Sequence, residues 1–251
     1  LERMFTIDTD HEFVLFWSAW KLPPCPEDWV RRFPRVRLVS LRIPNKVLNF
    51  SLWLFKFPKL DLLLGGGDVF FITNLNFSSC SKRSRLVVTA HDISFERYPE
   101  TFSWKRRMWH SLVNFRDLVR RADRVIAVSE STKDDLVSRL RVSARKVSVV
   151  PSGVSERFVR IDRNDARLSE VKSRYRLPYR FILFLGTIEP RKNIASIAKA
   201  FDALVSSGND KGFSLIFAGM RGWKWREIRR EIRQLPSRPR MRFLGFVRDE
   251  D

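Results

Sequence analysis

The stretch FLGTIEPRKNIASIAKAF, residues 184–201, decides how the chain is read. It follows directly from FILFLG at 181–186, a short continuous apolar run of the kind a buried strand of a parallel sheet requires, and Gly186 lets the backbone turn at its end. A polar turn carrying Arg191 and Lys192 comes next, Asn193 stands where it can cap a helix, and apolar residues at helical spacing run on to about residue 206. Ligands of open α/β sheets bind outside the carboxyl ends of strands, where a helix N-terminus favours anions. A planar guanidinium and a mobile ammonium both suit phosphate oxygens, so a pyrophosphate is a natural guest. Taken alone, the Arg-Lys pair reads first as two solvated cations after a turn.

The alternation of strand and helix continues outward. Downstream come FSLIFAG at 213–219, a helix at about 223–234 and RFLGFV at 242–247. Upstream, RLVVTA at 85–90 reads as a strand buried on both faces, with His91 and Asp92 at its carboxyl end. A basic amphipathic helix over 104–122, a strand in DRVIAVS at 123–129, a helix opened by Ser131 and Asp134 in a capping-box pattern, and a strand in KVSVVPSGV at 146–154 complete that series. EFVLFWS at 12–18 and VRLVSL at 36–41 read as two strands of one sheet, and Gly65 to Gly67 as a structural turn before a strand at 69–72. The fold class is therefore α/β with parallel sheets. Residues 155–178 turn polar, which places a boundary near 158 and divides the chain into domains 1–157 and 158–251.

With Lys+Arg 48 against Asp+Glu 28 the formal charge is +20, which points to anionic partners: nucleic acid, an anionic membrane surface or phosphorylated small molecules. Cys25 and Cys80 are far apart and lack metal-ligand spacing, so neither a disulfide framework nor a metal site is expected, and the setting is read as cytoplasmic. The most apolar run, VLNFSLWLFKFPKLDLLL at 47–64, is interrupted by Lys56, Pro58, Lys59 and Asp61 and should not span a bilayer. The opening LERMFTIDTD shows no signal-peptide pattern, and a chain that starts on Leu1 is expected to have lost its beginning.

Four ordered segments, VTAHDISFERYPETFSWKRRMWH, RADRVIAVSESTKDDL, VSVVPSGVSERF and FLGTIEPRKNIASIAKAF, resemble glycosyltransferase family 4. The resemblance implies the GT-B architecture: two Rossmann-like domains, the first acceptor-side and the second donor-binding. It also implies retaining transfer of a hexose, mannose or glucose, from a GDP- or UDP-linked sugar to a glycan or lipid-linked acceptor in bacterial envelope or exopolysaccharide synthesis. No cofactor and no metal is implied. By the same resemblance Arg191 and Lys192 bind the donor diphosphate, and Gly186, Thr187 and Asn193 line that pocket. His91 faces the transferred sugar. Asp92 either accepts a hydroxyl proton or caps the turn, while Ser129, Ser131, Ser152 and Gly153 are caps and turns.

The sequence departs from the family pattern in two places. No pair of glutamates separated by seven residues follows Lys192, since Glu227 and Glu231 form a helical pair, and no glycine-rich βα loop precedes residue 12. Both ends are therefore expected to be cut. The aromatic stripe of the 104–122 helix is read as core, with its basic face able to hold the protein on the anionic inner face of the cytoplasmic membrane. A non-catalytic relic and a basic nucleic-acid-binding protein are rival readings, beside a sucrose- or trehalose-type synthase of the same fold acting on a soluble acceptor. The second has no zinc spacing, RNP motif or helix-turn-helix behind it.

Overall fold

In the computed structural model residues 2–8, 10–20, 30–162 and 164–251 are described; Cys25 lies outside them. The chain forms two compact units, Leu1–Pro99 with Trp104–Gly153 and Glu100–Ser103 with Val154–Asp251.

The first unit opens with α1 (Glu2–Ile7), then a parallel pair of strands, β1 (Phe13–Ser18) and β2 (Val36–Leu41), as the alternating runs predict. Two helices, α2 (Asn45–Leu54) and α3 (Leu60–Leu63), lead through the glycine turn into a four-stranded sheet. Its strands are β3 (Val69–Ile72), β4 (Arg85–Ala90), β5 (Arg124–Ala127) and β6 (Val147–Val149), all parallel, in the order β3-β4-β5-β6. The crossovers carry α4 (Ser94–Arg97), α5 (Trp104–Val113), α6 (Phe115–Arg121) and α7 (Glu130–Ser138). Val88, Val119, Val125 and Leu136 are completely buried between sheet and helices. Each such side chain stabilises the fold by about 1.5–3 kcal/mol.

Two local readings change. The helix expected over 104–122 is broken at Asn114, whose backbone is left-handed (φ 51, ψ 59) and whose side chain accepts from the Asp117 N–H to cap α6. Asparagine is among the few residues that tolerate that conformation, so the break needs neither Gly nor Pro. Consequently the apolar stripe is core only in α6, which buries Phe115, Leu118 and Val119, whereas α5 buries no residue fully and leaves Trp104 67% exposed. The cap of α7 is Ser129, not Ser131: Ser129 has an extended backbone and accepts from the Thr132 N–H, while Ser131 already lies in the first turn.

The second unit has α8 (Ala166–Arg174), β7 (Phe181–Leu185), α9 (Ile194–Ser206), β8 (Ser214–Ala218), α10 (Trp225–Arg233) and β9 (Met241–Gly245). The three strands are parallel in the order β7-β8-β9. Leu215 and Phe217 of β8 pack with Ile194, Ala198 and Phe201 of α9 and Ile228 and Ile232 of α10. The run FILFLG predicts a buried strand, but β7 lies at an edge of the sheet, and Leu183 and Leu185 are exposed while Phe184 packs on the core. Among the described residues no helix is long and apolar enough to cross a membrane.

Candidate functional site

The carboxyl ends of β7, β8 and β9 are tied together beyond the strands proper. Gly186 donates its N–H to the Ala218 carbonyl (2.9 Å), Gly219 to the Gly245 carbonyl (2.7 Å), Ile188 to Met220 (2.9 Å) and Gly222 to Ile188 (3.0 Å). Gly186 has φ +148 and Gly219 φ +137, conformations that side chains rarely adopt. The chain then closes a 3₁₀ turn over Pro190–Lys192, with Lys192 donating to the Glu189 carbonyl and Asn193 to that of Pro190, and enters α9.

Asn193 occupies the N-cap position with a left-handed backbone (φ 50, ψ 41), but its side chain makes no capping bond. The N–H that such a side chain would take, that of Ser196, already goes to the carbonyl of Asn193 itself. Asn193 therefore holds the N-cap position without the side-chain cap expected of it. The opening turn of α9 still presents N–H groups and the positive end of the helix dipole at this point.

Five of the residues read from sequence, Gly186, Thr187, Arg191, Lys192 and Asn193, thus share one loop. Arg191 Nη2 donates to Glu189 Oε1 at 2.9 Å, and the Glu189 side chain is 9% exposed against 37% for Arg191. One of five guanidinium N–H donors is committed to this pair, which holds the side chain in one place. Lys192 is exposed and makes no ion pair among the described residues. A mobile ammonium, a held guanidinium and a helix N-terminus on one turn can accommodate an anion with several oxygens.

Glu189, Gly219 and Gly222 were not singled out from the sequence. A Cβ on Gly222 would meet the Ile188 carbonyl at 2.9 Å, and one on Gly219 would meet the Gly186 carbonyl at 2.0 Å. The available signal was that FILFLG and FSLIFAG both close an apolar run on glycine.

His91 stands in the first unit, directly after β4. Its Nε2 lies 3.0 Å from the Thr73 carbonyl and donates to it, so Nδ1 is the acceptor in the neutral ring. Its own carbonyl accepts from Thr132 Oγ1 at 3.3 Å. Asp92 Oδ1 takes both the N–H (2.8 Å) and the hydroxyl (2.5 Å) of Ser94, which is the turn-capping alternative. A cavity of about 110 Å³ opens here, lined among others by Asn74, Thr89, His91, Asp92, Phe95 and His110. His110, also missed, lies flat on Phe95 (centroids 4.2 Å apart, 5° between planes), and burial, aided by Arg106, holds its imidazole below the usual value.

Parallel sheets alternating with helices in two successive units are the architecture of the GT-B class of glycosyltransferase, and solved structures of that class superpose on this chain. Anabaena Alr3699/HepE in complex with UDP and glucose superposes with a TM-score of 0.57 at 15% identity, over 95% of this chain and 70% of that one. WaaG, a glycosyltransferase involved in lipopolysaccharide biosynthesis, gives 0.58 at 12% identity over 99% and 65%. The family model for Glycosyltransferase Family 4 matches residues 7–158, and the chain belongs to that family. Among curated relatives, O-antigen chain mannosyltransferase B of Escherichia coli is 28% identical over 181 residues, 70% of this chain and 45% of that protein. Serotype-specific mannosyltransferase WbdA of Escherichia coli is 28% identical over 172 residues, 66% of this chain and 21% of its own length. The chain thus spans less than half the length of the curated relatives it matches.

Proposed function

We propose that the protein takes part in retaining transfer of a hexose, mannose or glucose, from a GDP- or UDP-linked donor to a glycan or lipid-linked acceptor of envelope polysaccharide. Family membership and the two mannosyltransferase relatives support the reaction class and favour mannose. The observation that carries the site assignment is the exposed Lys192 beside a Glu189-anchored Arg191 at the start of α9.

In this reading the bond between the anomeric carbon and the diphosphate breaks and its electron pair goes to the phosphate oxygen. Negative charge gathers on the departing nucleoside diphosphate, where Arg191, Lys192 and the α9 N-terminus offset it without needing to reorganise. No metal ion is invoked. The acceptor hydroxyl oxygen forms the new bond to the anomeric carbon and its proton passes to the departing phosphate oxygen on the same face, while His91 is assigned to the hydroxyls of the transferred hexose through its Nδ1. Gly186, Thr187 and Asn193 line the diphosphate pocket.

The charge of +20 and the exposed basic face of α5 support peripheral attachment to the anionic inner face of the cytoplasmic membrane. Saturation-transfer NMR of the chain with GDP-mannose, UDP-glucose and free mannose tests the donor assignment. Transfer to the diphosphate-bearing ligands and none to free mannose is expected; silence from both nucleotide sugars would sink it.

A further inference from the structure

Helix α2 carries two apolar faces where a helix on a water-facing surface needs one. Leu48 and Leu52 are buried against Leu60, with Phe16, Ile43 and Phe77 packed around them. The other face presents Val47, Phe50 and Leu54 at helical spacing, 59%, 54% and 51% exposed, together with Trp53. The turn that follows adds Phe55 and Phe57, 67% and 65% exposed. These rings form one patch: Phe50 lies 5.9 Å from Trp53 and 6.5 Å from Phe55 between centroids. The turn is pinned in place, because Ser51 Oγ donates to the Phe57 carbonyl and Ser79 Oγ to that of Lys56, each at 2.6 Å.

Charge selects the occupant. Lys46 and Lys56 stand exposed at the two ends of the patch, and the segment between them carries no Asp or Glu. A second copy of this chain would set like charges against each other across the contact. Anionic lipid headgroups complement them, aromatic rings favour the boundary between headgroup and acyl chain, and lysine stems let the ammonium reach the phosphate layer. With ten residues α2 is far too short to cross the bilayer, so it would lie in the interface.

We propose that the outward face of α2 and its following turn, from Val47 to Phe57, seats the protein on an anionic lipid bilayer. This deepens the peripheral-attachment reading and rests on it, while moving the point of contact from the basic helix α5 to α2.

Co-sedimentation with phosphatidylglycerol–phosphatidylethanolamine vesicles, and with uncharged phosphatidylcholine vesicles, tests it. The variants are Phe50→Ser with Phe55→Ser on α2 and Trp104→Ser with Met108→Ser on α5. All four side chains are exposed, and unchanged circular dichroism confirms folding. The expected result is preferential binding of the parent chain to phosphatidylglycerol vesicles, lowered about tenfold or more in the α2 variant and little in the α5 variant. Full binding by the α2 variant overturns the α2 assignment and leaves peripheral attachment standing. No binding by the parent chain overturns both. A parent dimer in sedimentation velocity that the α2 variant abolishes, with lipid binding unchanged, would give the face to a second copy instead.

Discussion

The α-carbon of Gly219 rests against the carbonyl of Gly186, so closely that a Cβ at 219 would sit 2.0 Å from that oxygen. This contact sets the spacing of the β7 and β8 ends, and with it the path of the loop that carries Arg191 and Lys192. Gly219→Ala should cost about 3 kcal/mol or more and lower the melting temperature of the second unit, because backbone rather than a flexible side chain must move. Gly66 is the control: it also has positive φ (+88), but its Cβ would meet nothing within 4 Å. Gly66→Ala should cost only the backbone strain, about 1–2 kcal/mol. Equal losses in a thermal melt would contradict the contact argument.

Arg191 and Lys192 are neighbours with different structural roles, and their alanine variants should separate. Arg191→Ala leaves the Glu189 carboxylate buried without its partner, and should cost about 1–3 kcal/mol of stability. Adding Glu189→Gln should restore much of that loss, a coupling a double-mutant cycle in urea would read. Lys192→Ala should melt like the parent. If Lys192→Ala is as destabilising as Arg191→Ala, the description of the loop is wrong.

Much of this was legible from the sequence because parallel strands covered by helices write short continuous apolar runs, and those at 85–90, 123–129, 181–186 and 213–219 each hold a strand, shorter by a residue or more at all but the first. The basic turn was legible for the same reason: it directly follows one of them. What escaped was non-local. Burial of Glu189 and the touch of Gly219 on Gly186 depend on elements apart in sequence, and nothing local marks them. Helix α2 was hidden in the run 47–64 because apolar residues on both of its faces erase the 3.6-residue stripe. The break at Asn114 carries no Gly or Pro, so a continuous helix was the natural reading of 104–122.

His110 sets a pH dependence in the first unit. Burial foremost, then Arg106, depress its pKa below 6.5, with Asp92 pulling the other way. The unfolded chain therefore binds this proton more readily than the folded one, so the stabilisation is present above pH 6.5 and is lost as pH falls below it. Carboxylates held below their usual 3.8, such as Asp61 and Asp123, act only at lower pH. His11, exposed and hydrogen-bonded to Asp8, which raises its pKa, acts with the opposite sign. The measurement is thus a difference: between about pH 7 and about pH 5 the parent should lose more melting temperature than His110→Phe, which keeps the stack on Phe95. Parallel curves would remove His110 from the account.

The central claim, that the loop from Gly186 to Asn193 holds the diphosphate of a nucleotide sugar, is tested most directly by calorimetric titration of GDP and UDP into the parent chain and Lys192→Ala. At least one nucleoside diphosphate should bind the parent, and the loss of one charge-assisted contact in Lys192→Ala should weaken it about tenfold or more at an unchanged melting temperature. Equal affinity in the two proteins, or no nucleotide binding by the parent, would contradict the assignment.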